Sequence, residues 1–193
     1  DGDLAVGALE KAEKLTEDEE ILADISRMML SAEDPEFELR LGEISTQVTA
    51  GNDVKAEDAN FLENIIEKAP LLTEAYVLLA KTYIIWEEDG DALDVLLDGH
   101  KIVPEEPEII ENLARVLWKS GEKELTFEYL NNGIAANPTY VPLLALAGLY
   151  LAENGQNENA KEYLMQAEAI SPRNPVLTQV RASIARMMQK KDD

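Results

Sequence analysis

The chain has 193 residues, 39 of them acidic, 17 basic and none cysteine, for a formal charge of -22 at pH 7. So acidic a surface repels nucleic acid and anionic bilayers alike, and without thiols there are no disulfides, thiolate nucleophiles or cysteine-ligated metal sites. Apolar residues make up 46%, enough for a sizeable core, but no apolar run nears the roughly 18 residues that cross a bilayer, so neither membrane insertion nor nucleic-acid binding is expected.

LAVGAL (Leu4 to Leu9) is too short for a signal segment and is preceded by acids. The chain does not open on methionine, which suggests a mature fragment or an excised domain, with cytoplasm and periplasm both open as compartments. Residues 1–35 read as a helical hairpin, with helices near 4–15 and 17–31. Residues 36–70, with helices near 35–50 and 55–68, end in Pro70. In TEAYVLLAKTYIIW, Ala75, Tyr76, Leu79, Ala80 and Tyr83 recur at three- and four-residue steps, one face of a helix. The same periodicity predicts helices near 73–86, 90–102, 106–120, 123–135, 139–153, 157–169 and 173–190, separated by short turns such as AGND, EDGD, KSGE and ENGQ. Helices of this length joined so briefly form antiparallel hairpins.

Pro70, Pro104, Pro138 and Pro172 are 34 residues apart, and the three segments between them superpose column by column. A large apolar column holds Tyr76, Ile110 and Leu144, followed by Leu79, Leu113 and Ala147, then the small residues Ala80, Ala114 and Gly148. The second helices repeat Ala92, Thr126, Ala160, then Leu96, Leu130, Leu164, then Gly99, Gly133, Ala167. Small residues at fixed offsets mark close helix crossings, and each proline ends a helix.

This pattern resembles the tetratricopeptide repeat, a 34-residue helical hairpin with a large residue, Leu-Gly, Tyr, Ala, Phe and Pro at set places. The match is best in 139–172, through Gly148, Gly155, Ala160, Leu164, Ala167 and Pro172, and extends over 71–104 and 105–138; in 71–104 the turn glycine is displaced to Gly90, and 36–70 reads as a degenerate repeat. The resemblance implies an all-α fold, a single domain built as a right-handed superhelical solenoid of antiparallel hairpins. Residues 173–193 supply a capping helix, with Val176, Leu177, Val180, Ile184, Met187 and Met188 on one stripe and Arg181, Arg186, Lys190 and Lys191 elsewhere.

Sites of chemistry are sparse in the sequence. His100 is the sole histidine and no G-x-S-x-G accompanies it; phosphate-cradling glycine loops are missing. EEDGDALDVLLDG (Glu87 to Gly99) lacks the calcium-loop spacing. The expectation is a non-enzymatic chain without cofactor or metal: a scaffold that holds a peptide or helix of a protein partner in the groove lined by the first helices. The alternatives are a self-assembly module forming homo-oligomers and the regulatory region of a larger enzyme. In such a hairpin the inner face falls one, five and eight places after the large apolar column, giving Val77, Glu111 and Ala145, then Lys81, Arg115 and Leu149, then Ile84, Trp118 and Ala152. Asn112 borders these rows, and Ile85 and Lys119 extend them. An acidic group near Lys81 and Arg115 and an apolar anchor near Trp118 would suit them; equally, the cations could neutralise neighbouring acids and Trp118 could pack inward.

Members of the family that hold the acidic tails of heat-shock chaperones use a clamp of Lys and Asn, then Asn, then Lys and Arg. Those places here hold Val77 and Lys81, then Asn112, then Pro142 and Leu146, so only Asn112 fits. Calorimetry with a peptide ending in EEVD should detect no tight binding; a low-micromolar dissociation constant that vanishes in Asn112→Ala would refute this.

Overall fold

The computed structural model describes residues 2–189, and among these the chain is all-α, with eleven helices and no strand. In chain order they are α1 (Gly2–Glu13), α2 (Glu19–Glu33), α3 (Phe37–Ala50), α4 (Ala56–Lys68), α5 (Thr73–Ile85), α6 (Asp89–Ile102), α7 (Pro107–Lys119), α8 (Lys123–Ala136), α9 (Val141–Glu153), α10 (Asn157–Ile170) and α11 (Pro175–Gln189). Every predicted helix is present, and the ends differ by a few residues for local reasons. At α2 the start moves to Glu19 because Asp18 is the N-cap, its carboxylate accepting from the backbone N–H groups of Glu20 and Ile21. At α7 the carboxylate of Glu106 caps the backbone N–H of Glu108 with Pro107 in the first turn. Lys190, Lys191 and the side chain of Met188 lie outside the described residues.

The helices gather into two compact units, Asp1–Pro104 and Glu105–Asp193. In the first, α3, α4 and α5 share a core of Phe37, Leu41, Ile44, Leu62, Ile65 and Leu79. Phe37 meets Phe61 at 6.0 Å between centroids, and Arg40 lies 4.3 Å over the Phe61 ring while pairing with Asp58. Arg27 of α2 reaches Glu38 of α3 through Nε and Nη2, and Glu74 of α5 through Nη1, which ties the N-terminal hairpin to the helices behind it.

In the second unit everything is arranged around α9. Its sequence, VPLLALAGLYLAE, is apolar on all sides, and a helix without a polar face is stable only when surrounded. It packs against α7, α8, α10 and α11. One side joins Ile110, Ala114 and Leu130 through Leu143, Leu146, Ala147 and Tyr150; the other joins Ala167, Leu177 and Val180 through Val141, Leu144 and Ala145. Leu177 and Val180 belong to α11, which covers the last apolar face.

The small columns sit where the helices come closest. A β-carbon at Gly148 would lie 2.7 Å from Leu164 Cγ and 3.2 Å from the carbonyl oxygen of Ala160; at Gly133 it would lie 2.7 Å from Ile110 Cγ2. The hairpin turns also repeat. Gly51, Gly121 and Gly155 are left-handed, with φ of 67°, 85° and 80°. The backbone bonds Gly121 N–H to Trp118 and Glu122 N–H to Leu117 are matched by Gly155 to Ala152 and Gln156 to Leu151, and by Gly51 to Val48 and Asn52 to Gln47. This is the Schellman ending of a helix. The corresponding turn after α5 makes the same bonds, Glu87 to Ile84 and Glu88 to Tyr83, but its left-handed residue is Glu87, at φ 63°. Gly90 is therefore not the displaced turn glycine that the sequence suggested; it lies in the first turn of α6.

Two substitutions with opposite outcomes test this geometry. Gly148→Leu should overpack the α9 and α10 crossing and lower stability by about 1–3 kcal/mol. Glu87→Gly should relieve the left-handed strain and raise stability by roughly 1 kcal/mol. Both are read by chemical denaturation, and a neutral result for either would refute the packing or the turn assigned to it.

Candidate functional site

The inner-face candidates of the first unit all lie on α5. Val77 is buried at 3% exposure, while Lys81, Ile84 and Ile85 are half-buried, Ile85 packing on the core beside Tyr83 and Trp86. Trp86 is fixed by its indole N–H, which donates to the Val54 carbonyl at 3.1 Å.

In the second unit the candidates lie on α7 and α9, and the structure draws several of them into one network. Glu111 is largely covered, with 14% of its side chain exposed, and its Oε1 accepts from Arg115 Nη2 at 2.7 Å and Nε at 3.2 Å. Its Oε2 accepts from the Tyr140 hydroxyl at 3.1 Å. Arg115 keeps 40% of its side chain exposed. Trp118 is half-buried, stacked on Tyr150 with centroids 4.4 Å apart and planes 11° apart, and it meets Phe127 edge-on at 5.8 Å. Its indole N–H donates to Glu153 at 2.6 Å, and Lys123 Nζ lies 5.2 Å over the ring.

Other candidates have structural surroundings. Asn112 is buried, its Nδ2 donating to the Glu108 carbonyl at 2.7 Å. Ala145 has no exposure because Leu177 and Val180 of α11 share its cluster. Leu149 is half-buried and packs on both clusters of this unit. Ala152 borders a cavity of about 420 Å³ beside α10 and α11, and Lys119 is exposed. Val77, Asn112 and Ala145 thus belong to the interior, Ala145 beneath α11.

Tyr140, Tyr150, Glu153 and Lys123 complete the network and were not among the sequence candidates. Tyr150 is in α9 but off the predicted stripe, and Tyr140 precedes that helix; neither occupies a repeat column, so only the packing of α9 on α7 brings them to Glu111 and Trp118. Burial pushes the Tyr140 phenol well above its usual value, helped by the carboxylates of Glu111, Glu108 and Glu106. Burial likewise pushes Tyr150 up to about 12, with Arg115 opposing and Glu153 and Glu111 reinforcing. Among the described residues no three His, Cys, Asp or Glu side chains are grouped to hold a metal ion. His100 is half-buried, and burial pushes its pKa down.

The tyrosines make alkaline stability a probe of the network. An unfolded tyrosine ionises near 10 and folded Tyr150 near 12, so the unfolded state loses its proton first. Stability is complete below the unfolded value and falls as pH rises from 10 toward 12. Tyr150→Phe should flatten part of that decline in denaturation curves collected across the window, Tyr76, Tyr83 and Tyr140 accounting for the rest; an unchanged slope would contradict the burial described.

Residues 141–174 match the family model described as Tetratricopeptide repeat. Among curated proteins, none matches the chain in sequence. A thermophilic tetratricopeptide protein of Thermus thermophilus is similar in structure, with a TM-score of 0.58 and 18% identity over 97% of this chain and 91% of its own. YrrB, described as a tetratricopeptide protein with an unusual peptide-binding site, aligns at 0.51 and 17% identity over 94% and 84%. The first such domain of Spaghetti, bound to the HSP90 peptide SRMEEVD, aligns at 0.50 and 17% over 71% and 98%. At these identities the likeness is one of fold, and no helix among the described residues is long and apolar enough to cross a membrane. Gly148 against Leu164, the recurrent Schellman turns and α9 enclosed by its neighbours agree with the match at 141–174: the chain carries a tetratricopeptide repeat there and has the all-α fold of tetratricopeptide-repeat proteins.

Proposed function

We propose that the chain is a non-enzymatic protein-interaction scaffold whose first helices hold a peptide or helical segment of a partner. The observation that carries this reading is the row Glu111, Arg115 and Trp118 on α7. Each side chain is partly exposed and each is already held by neighbours, so little side-chain entropy remains to be lost on binding. A guanidinium has five N–H donors; the pairing with Glu111 uses Nε and Nη2 of Arg115 and leaves Nη1 for an incoming carboxylate. Trp118, with Leu149 and Ala152 on α9, offers the apolar contact. In the first unit, Lys81 with Ile84 and Ile85 on α5 is a similar combination of one cation and two apolar side chains. The peptide-binding descriptions of YrrB and of the Spaghetti domain favour a peptide as the occupant.

Affinity capture with mass spectrometry identifies the partner, and light scattering behind size exclusion tests the alternative, since a concentration-independent monomer removes homo-assembly. In a binding assay with that partner, the double variant Lys81→Glu and Arg115→Glu should bind more weakly, with a loss that shrinks at high salt. Trp118→Ala should cost roughly 2 kcal/mol or more; because it also removes the stack on Tyr150, its helicity and melting are checked in parallel. If both variants stay folded and bind as the parent does, these faces are not the site.

A further inference from the structure

A second cavity of the Glu105–Asp193 unit, of about 440 Å³, lies between α8 and α10 and shares with the network above only Phe127, whose ring meets Trp118. That is within the roughly 300–1,000 Å³ usual for ligand pockets. Its apolar lining comes from Phe127 of α8 and Ala147 and Leu151 of α9. The polar lining consists of Asn131, Gln156 and Asn159, with the Tyr163 phenol and the Glu162 carboxylate. Two hydrogen bonds order this rim: Tyr163 Oη donates to Asn131 Oδ1 at 3.4 Å, and Asn159 Nδ2 donates to Gln156 Oε1 at 3.2 Å. Each carboxamide has two donor hydrogens and an oxygen with two lone pairs, so these bonds use only a fraction of the capacity present.

The three carboxamides are not demanded by the repeat. One repeat earlier the same places hold Leu97, Glu122 and Leu125, whereas the aromatic of Tyr163 and the acid of Glu162 recur as Tyr129 and Glu128. The tyrosine and the acid thus follow the repeat, whereas the carboxamides are particular to this hairpin. A carboxamide carries the donor and acceptor of a peptide group, and several together can pair with an extended backbone. A helix cannot use them, because its own backbone bonds are internal. No Lys or Arg lines the cavity while Glu162 does, and neighbouring Glu128 is exposed, so the charge complement is basic.

We propose that this cleft binds an extended peptide segment that sets an apolar side chain against Phe127 and Leu151 and places a Lys or Arg at Glu162, its backbone held by Asn131, Gln156 and Asn159. The proposal adds to the scaffold reading a second surface with the opposite charge preference, and it rests on that reading only in taking a protein segment as the ligand.

The test uses the whole chain and a random dodecapeptide display library, followed by calorimetry of the enriched peptides. The expected enrichment is a Lys or Arg next to an apolar residue. Glu162→Lys should weaken these peptides about threefold to fivefold, less at high salt, and the double variant Asn131→Leu and Asn159→Leu roughly tenfold or more. All three positions are exposed, so the fold should persist, and an unchanged melting temperature checks it. Enriched peptides that are acidic, or that bind both variants like the parent, overturn the proposal. If their binding is lost only in Arg115→Glu, the cleft is rejected while the inner-face reading stands; if no peptide is enriched, both fall.

Discussion

The second unit depends on a single close contact, the crossing of α9 and α10 at Gly148. With no side chain on Gly148, Leu164 drops onto the backbone of α9 and the Ala160 turn comes within van der Waals reach. That approach lets α9 be enclosed by four helices without a void, and enclosure is the only stable state for a helix with so little polar surface. Gly133 against Ile110 and Leu143 does the same for α8. Small residues in these columns thus set inter-helix distances, and bulky ones beside them fill the space that remains.

The enclosure of α9 also assembles the candidate site. Tyr140 and Tyr150 flank and form part of this helix, and they reach Glu111 and Trp118 because α9 is drawn against α7. The resulting polar chain is well satisfied: Glu111 accepts from a phenol and a guanidinium, and the indole N–H has a carboxylate. Such networks rigidify the groups they contain. Packing of α11 on α9 takes Ala145 out of reach, and Asn112 is buried, so the surface offered by the first helices is narrower than a helical wheel implies.

Turn chemistry shows how a repeat tolerates a local departure. The ends of α3, α5, α7 and α9 make the same pair of backbone bonds, with glycine at the left-handed position in all but α5, where it is Glu87. Left-handed backbone costs a non-glycine residue about 1–2 kcal/mol, yet tertiary packing of α5 and α6 holds the turn in register. Local preference is overruled there by the spacing of the helices.

All eleven helices, the pairing of α5 with α6, α7 with α8 and α9 with α10, and the small residues at Gly148 and Ala160 were legible in the sequence, because helical period and the 34-residue step are properties of the order of residues alone. So were the cations and aromatics of the first helices as a group. Which of them face outward was not legible: Val77, Asn112 and Ala145 are buried, Ala145 because α11 covers a stripe that periodicity leaves open. Nor were Tyr140, Tyr150 and Glu153, which meet α7 only when α9 lies against it, or the left-handed Glu87, whose φ is imposed by the turn and not by its own preference. Periodicity determined the apolar face of the amphipathic helices; the contacts between helices, which join residues about 30 positions apart, decided what that face and its opposite touch, and for α9, apolar on all sides, they decided which side meets which neighbour.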